Sequence, residues 1–119
     1  MIRFSLALLG LAAMALPAAA QDLGGEYTVK GTNLDGSSYK GTAEIVITSN
    51  TTCEIRWVTA GRESVGICMP NGNALAAAYV MDDAVGLVIY RVQDDGTLNG
   101  VWTIAGQRGR GTDVLTPVN

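Results

Sequence analysis

The chain has 119 residues, with 8 Lys plus Arg against 11 Asp plus Glu, a formal charge of −3, two cysteines and no histidine. An acidic balance with no basic run argues against a nucleic-acid partner, whose phosphates require a cationic footprint. The missing histidine removes the usual general base of a hydrolytic triad, and two thiols alone do not complete the four-ligand shell of a structural zinc, so no cofactor or metal is expected.

Residues 1–20, MIRFSLALLGLAAMALPAAA, place one cation, Arg3, before an apolar run of thirteen residues from Phe4 to Leu16 and a small-residue ending at Ala18, Ala19 and Ala20. This is the three-part pattern of a secretory signal peptide with an A-x-A cleavage site. The run is shorter than the ~20 residues that span a bilayer, and Pro17 breaks it. The expected mature chain is 21–119, one small domain without a membrane span, exported to the periplasm or the medium. Loss of Arg3 takes the eight basic residues to seven against eleven acidic ones, a charge of about −4.

After Gln21 the chain divides into short alternating segments separated by Gly, Asn and Asp clusters, the all-β pattern. Tyr27, Val29 and Gly31 alternate in the first segment. Asp35-Gly36, a strong hairpin dipeptide, leads to Tyr39, Gly41, Ala43, Ile45 and Ile47 in the second.

The third and fourth segments carry the cysteines. With Thr59-Ala60-Gly61-Arg62 as a four-residue loop, strands 53–58 and 63–68 pair so that Cys53 faces Cys68, where opposed Cβ atoms lie about 4.5–5.5 Å apart. In an exported domain of this size such a pair reads as a disulfide, closing a loop that contributes about 3 kcal/mol. Ile55 and Trp57 share the face of Cys53, and Ser64 and Gly66 lie across from them.

After Pro70-Asn71-Gly72 come Leu75, Ala77 and Tyr79, the one alanine-rich stretch with helical character. Asp82-Asp83 turns the chain into 85–92, Asp95-Gly96 into Leu98, Gly100, Trp102 and Ile104, and the Gly106 to Gly111 turn into a last strand near Pro117. About eight strands joined by short turns form a meander, and eight up-and-down strands close naturally into a small antiparallel barrel. A two-sheet sandwich is the alternative.

The run G-x-Y-x-V-x-G-x-N-x-D-G-S-x-Y-x-G from Gly25 to Gly41, D-G-T-L-x-G-x-W-T from Asp95 to Thr103, and L-T-P at Leu115 to Pro117 resemble a group of small exported bacterial proteins sometimes labelled fibronectin-binding proteins. The resemblance spans nearly the whole mature chain, and its motifs are glycine turns and core aromatics. It implies a secreted β domain and adhesion to a host matrix protein, and it brings no catalytic residue.

Asp94-Asp95-Gly96 lacks the ligand spacing of a calcium loop, with Arg91 and Trp102 where oxygen ligands belong. Glu26, Glu44, Glu54 and Glu63 alternate with apolar positions and therefore face solvent, so no acid/base pair is expected and the protein reads as a non-enzyme. The aromatics read first as packing groups. The functional alternative places Trp57, Trp102, Tyr79 and Tyr90 around a pocket at one mouth of the barrel, with Arg56, Arg91 or Arg108 as a polar contact. Arg108-Gly109-Arg110 is the one dense basic spot. Three functions follow: a binding or adhesion module, a small-ligand carrier using the barrel interior, or an inhibitor or envelope protein acting through a loop. Large inward aromatics are expected to fill a barrel this small, which disfavours the carrier. The partner is an unidentified protein or small ligand.

Overall fold

The computed structural model describes residues 23–118, so the expected signal peptide and its cleavage site lie outside the described residues. Eight strands follow one another: β1 (Gly25–Thr32), β2 (Ser38–Ile47), β3 (Cys53–Thr59), β4 (Arg62–Asn71), β5 (Ala74–Met81), β6 (Ala84–Val92), β7 (Leu98–Ile104) and β8 (Gly111–Pro117). Each pairs antiparallel with the next, and β8 returns to β1, closing the barrel and excluding the sandwich. The alanine-rich segment is β5, a strand between β4 and β6. Its helix propensity is overridden because Leu75, Ala77 and Tyr79 alternate into the core.

The hairpin between β3 and β4 differs from the sequence expectation. Only Ala60 and Gly61 form the turn, and Thr59 pairs with Arg62. Both turn residues have left-handed backbone, φ 52° and 76°, the geometry whose twist matches the flanking strands. The strands are one pair longer than expected, but the register is the same, because adding a pair at the turn leaves Cys53 opposite Cys68. The two cysteines are bonded, with their Cα atoms 4.9 Å apart.

The Asp35-Gly36 and Asp95-Gly96 turns use one set of bonds. Asp35 Oδ1 accepts from the Ser37 N–H at 2.9 Å, and Asp95 Oδ1 accepts from the Thr97 N–H at 3.0 Å. The up-and-down order puts them at opposite ends of the barrel.

Alternation along every strand separates an inner from an outer face. Inside, the end where β1 begins and β8 finishes is packed solid by Ile45, Leu75, Leu98, Leu115 and the disulfide, with Leu23 folded in where its carbonyl accepts from the Tyr27 hydroxyl at 2.5 Å. Toward the other end the inner face is aromatic. There Tyr39 lies over Gly31, Tyr79 over Gly86, Tyr90 over Gly100 and Trp102 over Gly111, each glycine being the cross-strand partner. A Cβ on Gly100 would stand 2.6 Å from the Tyr90 ring. The glycines let the sheet bend sharply, and the rings cover the backbone they expose.

The outer face is divided. On β1, β2 and β3 it carries Glu26, Lys30, Lys40, Glu44, Glu54 and Arg56. On β4 to β7 it is aliphatic in three cross-strand rows. Val65, Val80 and Val85 form one, Ile67, Ala78 and Leu87 the next, and Met69, Ala76, Ile89 and Val101 the third.

Candidate functional site

The aromatic half of the barrel encloses a cavity of about 180 Å³. It opens between the β3–β4 and β5–β6 turns, where Thr59, Ala60, Arg62 and Met81 line it. Trp57, Tyr39, Tyr79 and Trp102 form the walls, and Val88, Tyr90 and Asp113 lie deepest. An eight-stranded barrel has room for packed side chains or for one small ligand, and this one divides its length between the two. The expectation of a fully filled interior therefore fails at this end. Aliphatic branches interdigitate in the lower half, whereas flat rings lying against glycines leave the axis open in the upper half.

Polar groups converge at the floor. Trp57 Nε1 donates to the Tyr90 hydroxyl at 3.0 Å, and that hydroxyl donates to Asp113 Oδ2 at 3.2 Å. Tyr90 is 0 % exposed and Asp113 5 % exposed. Asp113 Oδ1 has no hydrogen-bond partner among the described residues. Tyr39 faces the carboxylate, but its hydroxyl donates to the Thr112 carbonyl at 3.3 Å. Tyr79 is likewise turned away, donating to the Thr103 carbonyl at 3.2 Å. The result is a buried carboxylate with one satisfied and one unsatisfied oxygen, in a cavity otherwise made of aromatic faces.

Burial sets the protonation of this cluster. It pushes the Asp113 carboxyl up to about 6, a rise that the hydroxyls of Tyr90 and Tyr39 partly oppose. Burial and the neighbouring Asp113 charge hold Tyr79 up to about 12 and Tyr39 and Tyr90 well above the ordinary phenol, so all three remain neutral donors. At neutral pH Asp113 is mostly ionised and under-solvated, which costs free energy unless something pairs with it.

Of the aromatic candidates, Trp57, Trp102, Tyr79 and Tyr90 all line the cavity. Trp57 packs edge-on against Tyr79 at 5.1 Å, and Trp102 edge-on against Tyr39 at 6.2 Å. The arginines do not join them. Arg108 and Arg110 are exposed on the β7–β8 loop at the mouth end of the barrel, outside the cavity lining. Arg56 points outward and pairs with Glu63 at 2.9 Å, and Arg91 is exposed near the packed end. Strand parity is the reason, since each alternates with an inward residue, Arg56 with Trp57 and Arg91 with Tyr90. The cavity's polar contact is thus an acid. Asp113 was open to discovery from sequence, because Gly111, Asp113 and Leu115 alternate and Leu115 is a core leucine. Ser64, buried opposite Trp57, completes the wall.

No protein-family model and no curated protein matches the sequence. Solved structures do match its fold. A redesigned β-barrel aligns with a TM-score of 0.74 at 16 % identity, covering 85 % of this chain and 96 % of its own. A redesigned barrel solved bound to the small molecule DFHBI gives a TM-score of 0.70 at 19 % identity, covering 82 % and 97 %. A de novo designed fluorescence-activating barrel gives 0.69 at 17 % identity, covering 87 % and 99 %. At these identities the likeness establishes the closed eight-stranded barrel and nothing finer.

Proposed function

We propose that this is an exported, non-catalytic binding protein that holds a small organic ligand in the aromatic half of its barrel. The observation that carries this is the 180 Å³ cavity, walled by Trp57, Tyr79 and Trp102 and floored by the partly unsatisfied Asp113. Apolar walls with one or two convergent polar groups are the general character of small-molecule sites. The volume is close to the ~150 Å³ of a known engineered cavity that holds benzene, so a ligand of one ring with a short substituent fits. A similar barrel is bound to DFHBI, which supports this use of the architecture. Catalysis is disfavoured because, among the described residues, the groups that reach Asp113 are tyrosine hydroxyls held neutral by burial, with no second carboxylate beside it.

The test is titration with 2-phenylethanol, following the fluorescence of Trp57 and Trp102. A saturable change in the millimolar range or below is expected. Val88→Phe at the floor, and separately Ser64→Leu in the wall, should weaken binding about tenfold or more by filling the space, with circular dichroism confirming the barrel in each. No saturable response in the unaltered protein would overturn the proposal.

A further inference from the structure

Resting on that cavity reading, we infer that the ligand is a compact organic ammonium, a primary amine on an aromatic or short aliphatic body, whose N–H groups meet Asp113 Oδ1. Three observations carry it. Asp113 lines the cavity, and its Oδ1 is buried and has no partner among the described residues. The walls are π faces, which attract a cation once water is excluded. Among the described residues no unengaged cation lines the cavity. Arg62 at the rim is engaged by Asp82, and β1 and β7 bring only Gly31 and Gly100 against the carboxylate. A buried carboxylate gains most from a partner that is both a donor and a charge, and an ammonium is both. An anionic ligand would meet the ionised Asp113, and a wholly apolar one would leave it unpaired in a drier site.

The titratable groups facing Asp113 are Tyr39 from β2, Tyr79 from β5 and Tyr90 from β6, all neutral through the range in which Asp113 ionises. Affinity for a permanently protonated amine should therefore follow Asp113 alone. The experiment compares 2-phenylethylamine with 2-phenylethanol by tryptophan fluorescence at pH 8, then repeats the amine titration down to pH 4.5. The amine should bind about tenfold tighter than the alcohol or better, and that preference should fall toward unity as pH drops through about 6. Asp113→Asn should bring the ratio of the two affinities toward one at pH 8. The pH series in the unaltered protein gives the same readout should that variant fold poorly. Equal binding of both probes at pH 8 would overturn the ammonium assignment and leave the cavity reading standing. Binding of neither would remove both.

A different observation carries a second proposal. The eight aliphatic side chains of the β4–β7 outer face are 45–68 % exposed and put on the order of 700 Å² of apolar surface into water, beyond the largest patch usual on a monomer. No charged residue interrupts the three rows. We propose that this face packs against the same face of a second copy. The area approaches the ~800 Å² per partner of a stable interface, and apolar rows without charges bury nothing unpaired. The charged outer face of β1 to β3 keeps the barrel from spanning a bilayer, and the acidic chain is repelled by anionic lipid. Sedimentation analysis should find a dimer at micromolar concentration, and Ile67→Glu, at the most exposed of these positions, should make it a monomer with an unchanged barrel spectrum. A monomeric unaltered protein, a still-dimeric Ile67→Glu, or a monomer that co-sediments with phosphatidylcholine vesicles would each overturn this.

Discussion

The Tyr90 hydroxyl donates to Asp113 Oδ2 across 3.2 Å, linking β6 to β8 through the barrel interior, and the same hydroxyl accepts from Trp57 on β3. Tyr90→Phe leaves an indole N–H and a second carboxylate oxygen buried without partners. The expected loss is about 2–4 kcal/mol, measured by urea unfolding, since each stranded group bears its desolvation penalty with no hydrogen bond to offset it. A loss under about 0.5 kcal/mol would mean that water replaces the hydroxyl at both positions.

Asp113 makes stability depend on pH in the direction opposite to an ion-paired carboxylate. Its folded value is raised to about 6 from 3.8, so between those values the folded state binds the proton and the unfolded state does not. Its contribution is therefore greatest below about pH 4 and is lost as pH rises through 6, up to about 3 kcal/mol. Asp35 and Asp95, lowered by Ser37 and Thr97, act the other way and lose their contribution as pH falls below the ordinary carboxylate range. Subtracting Asp113→Asn from the unaltered protein isolates the buried group. The variant should gain on the unaltered protein by about 2–3 kcal/mol between pH 4 and pH 7.5 in paired denaturation curves. A difference independent of pH would show that Asp113 is solvated.

Gly100 should reject a side chain. A glycine at this inward position of β7 lets an aromatic ring approach closely, and the ring is that of Tyr90, its partner across β6 and β7, with Asp113 Oδ1 also 2.9 Å from the would-be Cβ. Gly100→Val should cost about 1–3 kcal/mol and lower the melting temperature by several degrees. An unchanged melting temperature would place the Tyr90 ring elsewhere.

The disulfide staples the packed end. Intact protein should show no alkylatable thiol. Cys53→Ala combined with Cys68→Ala should lose about 3 kcal/mol for the 15-residue separation, in thermal or urea melts. Ligand binding at the other end should survive at temperatures where the variant remains folded.

Much of the barrel follows from local information. Period-two alternation assigned Trp57, Ile55 and Cys53 to one face, and turn chemistry at Asp35-Gly36 and Asp95-Gly96 set where strands reverse. The Cys53–Cys68 pairing followed from one hairpin's register, which depends on nearest neighbours and survived a change of turn length. The inward positions of Tyr79, Tyr90 and Trp102 were equally legible, being properties of single strands.

What the sequence by itself determined were the strands, their turns and the faces of their residues, because each depends on backbone geometry within a few residues. Only the tertiary structure decided that the sheet closes through β1 and β8, and that Asp113 and Tyr90, on strands that are not neighbours, meet at the axis. It alone decided that the rings lie flat on glycines and leave a cavity, and that the aliphatic outer positions of four strands merge into one face. These depend on barrel curvature and stagger, which are set by all eight registers together, so no short segment of the chain contains them.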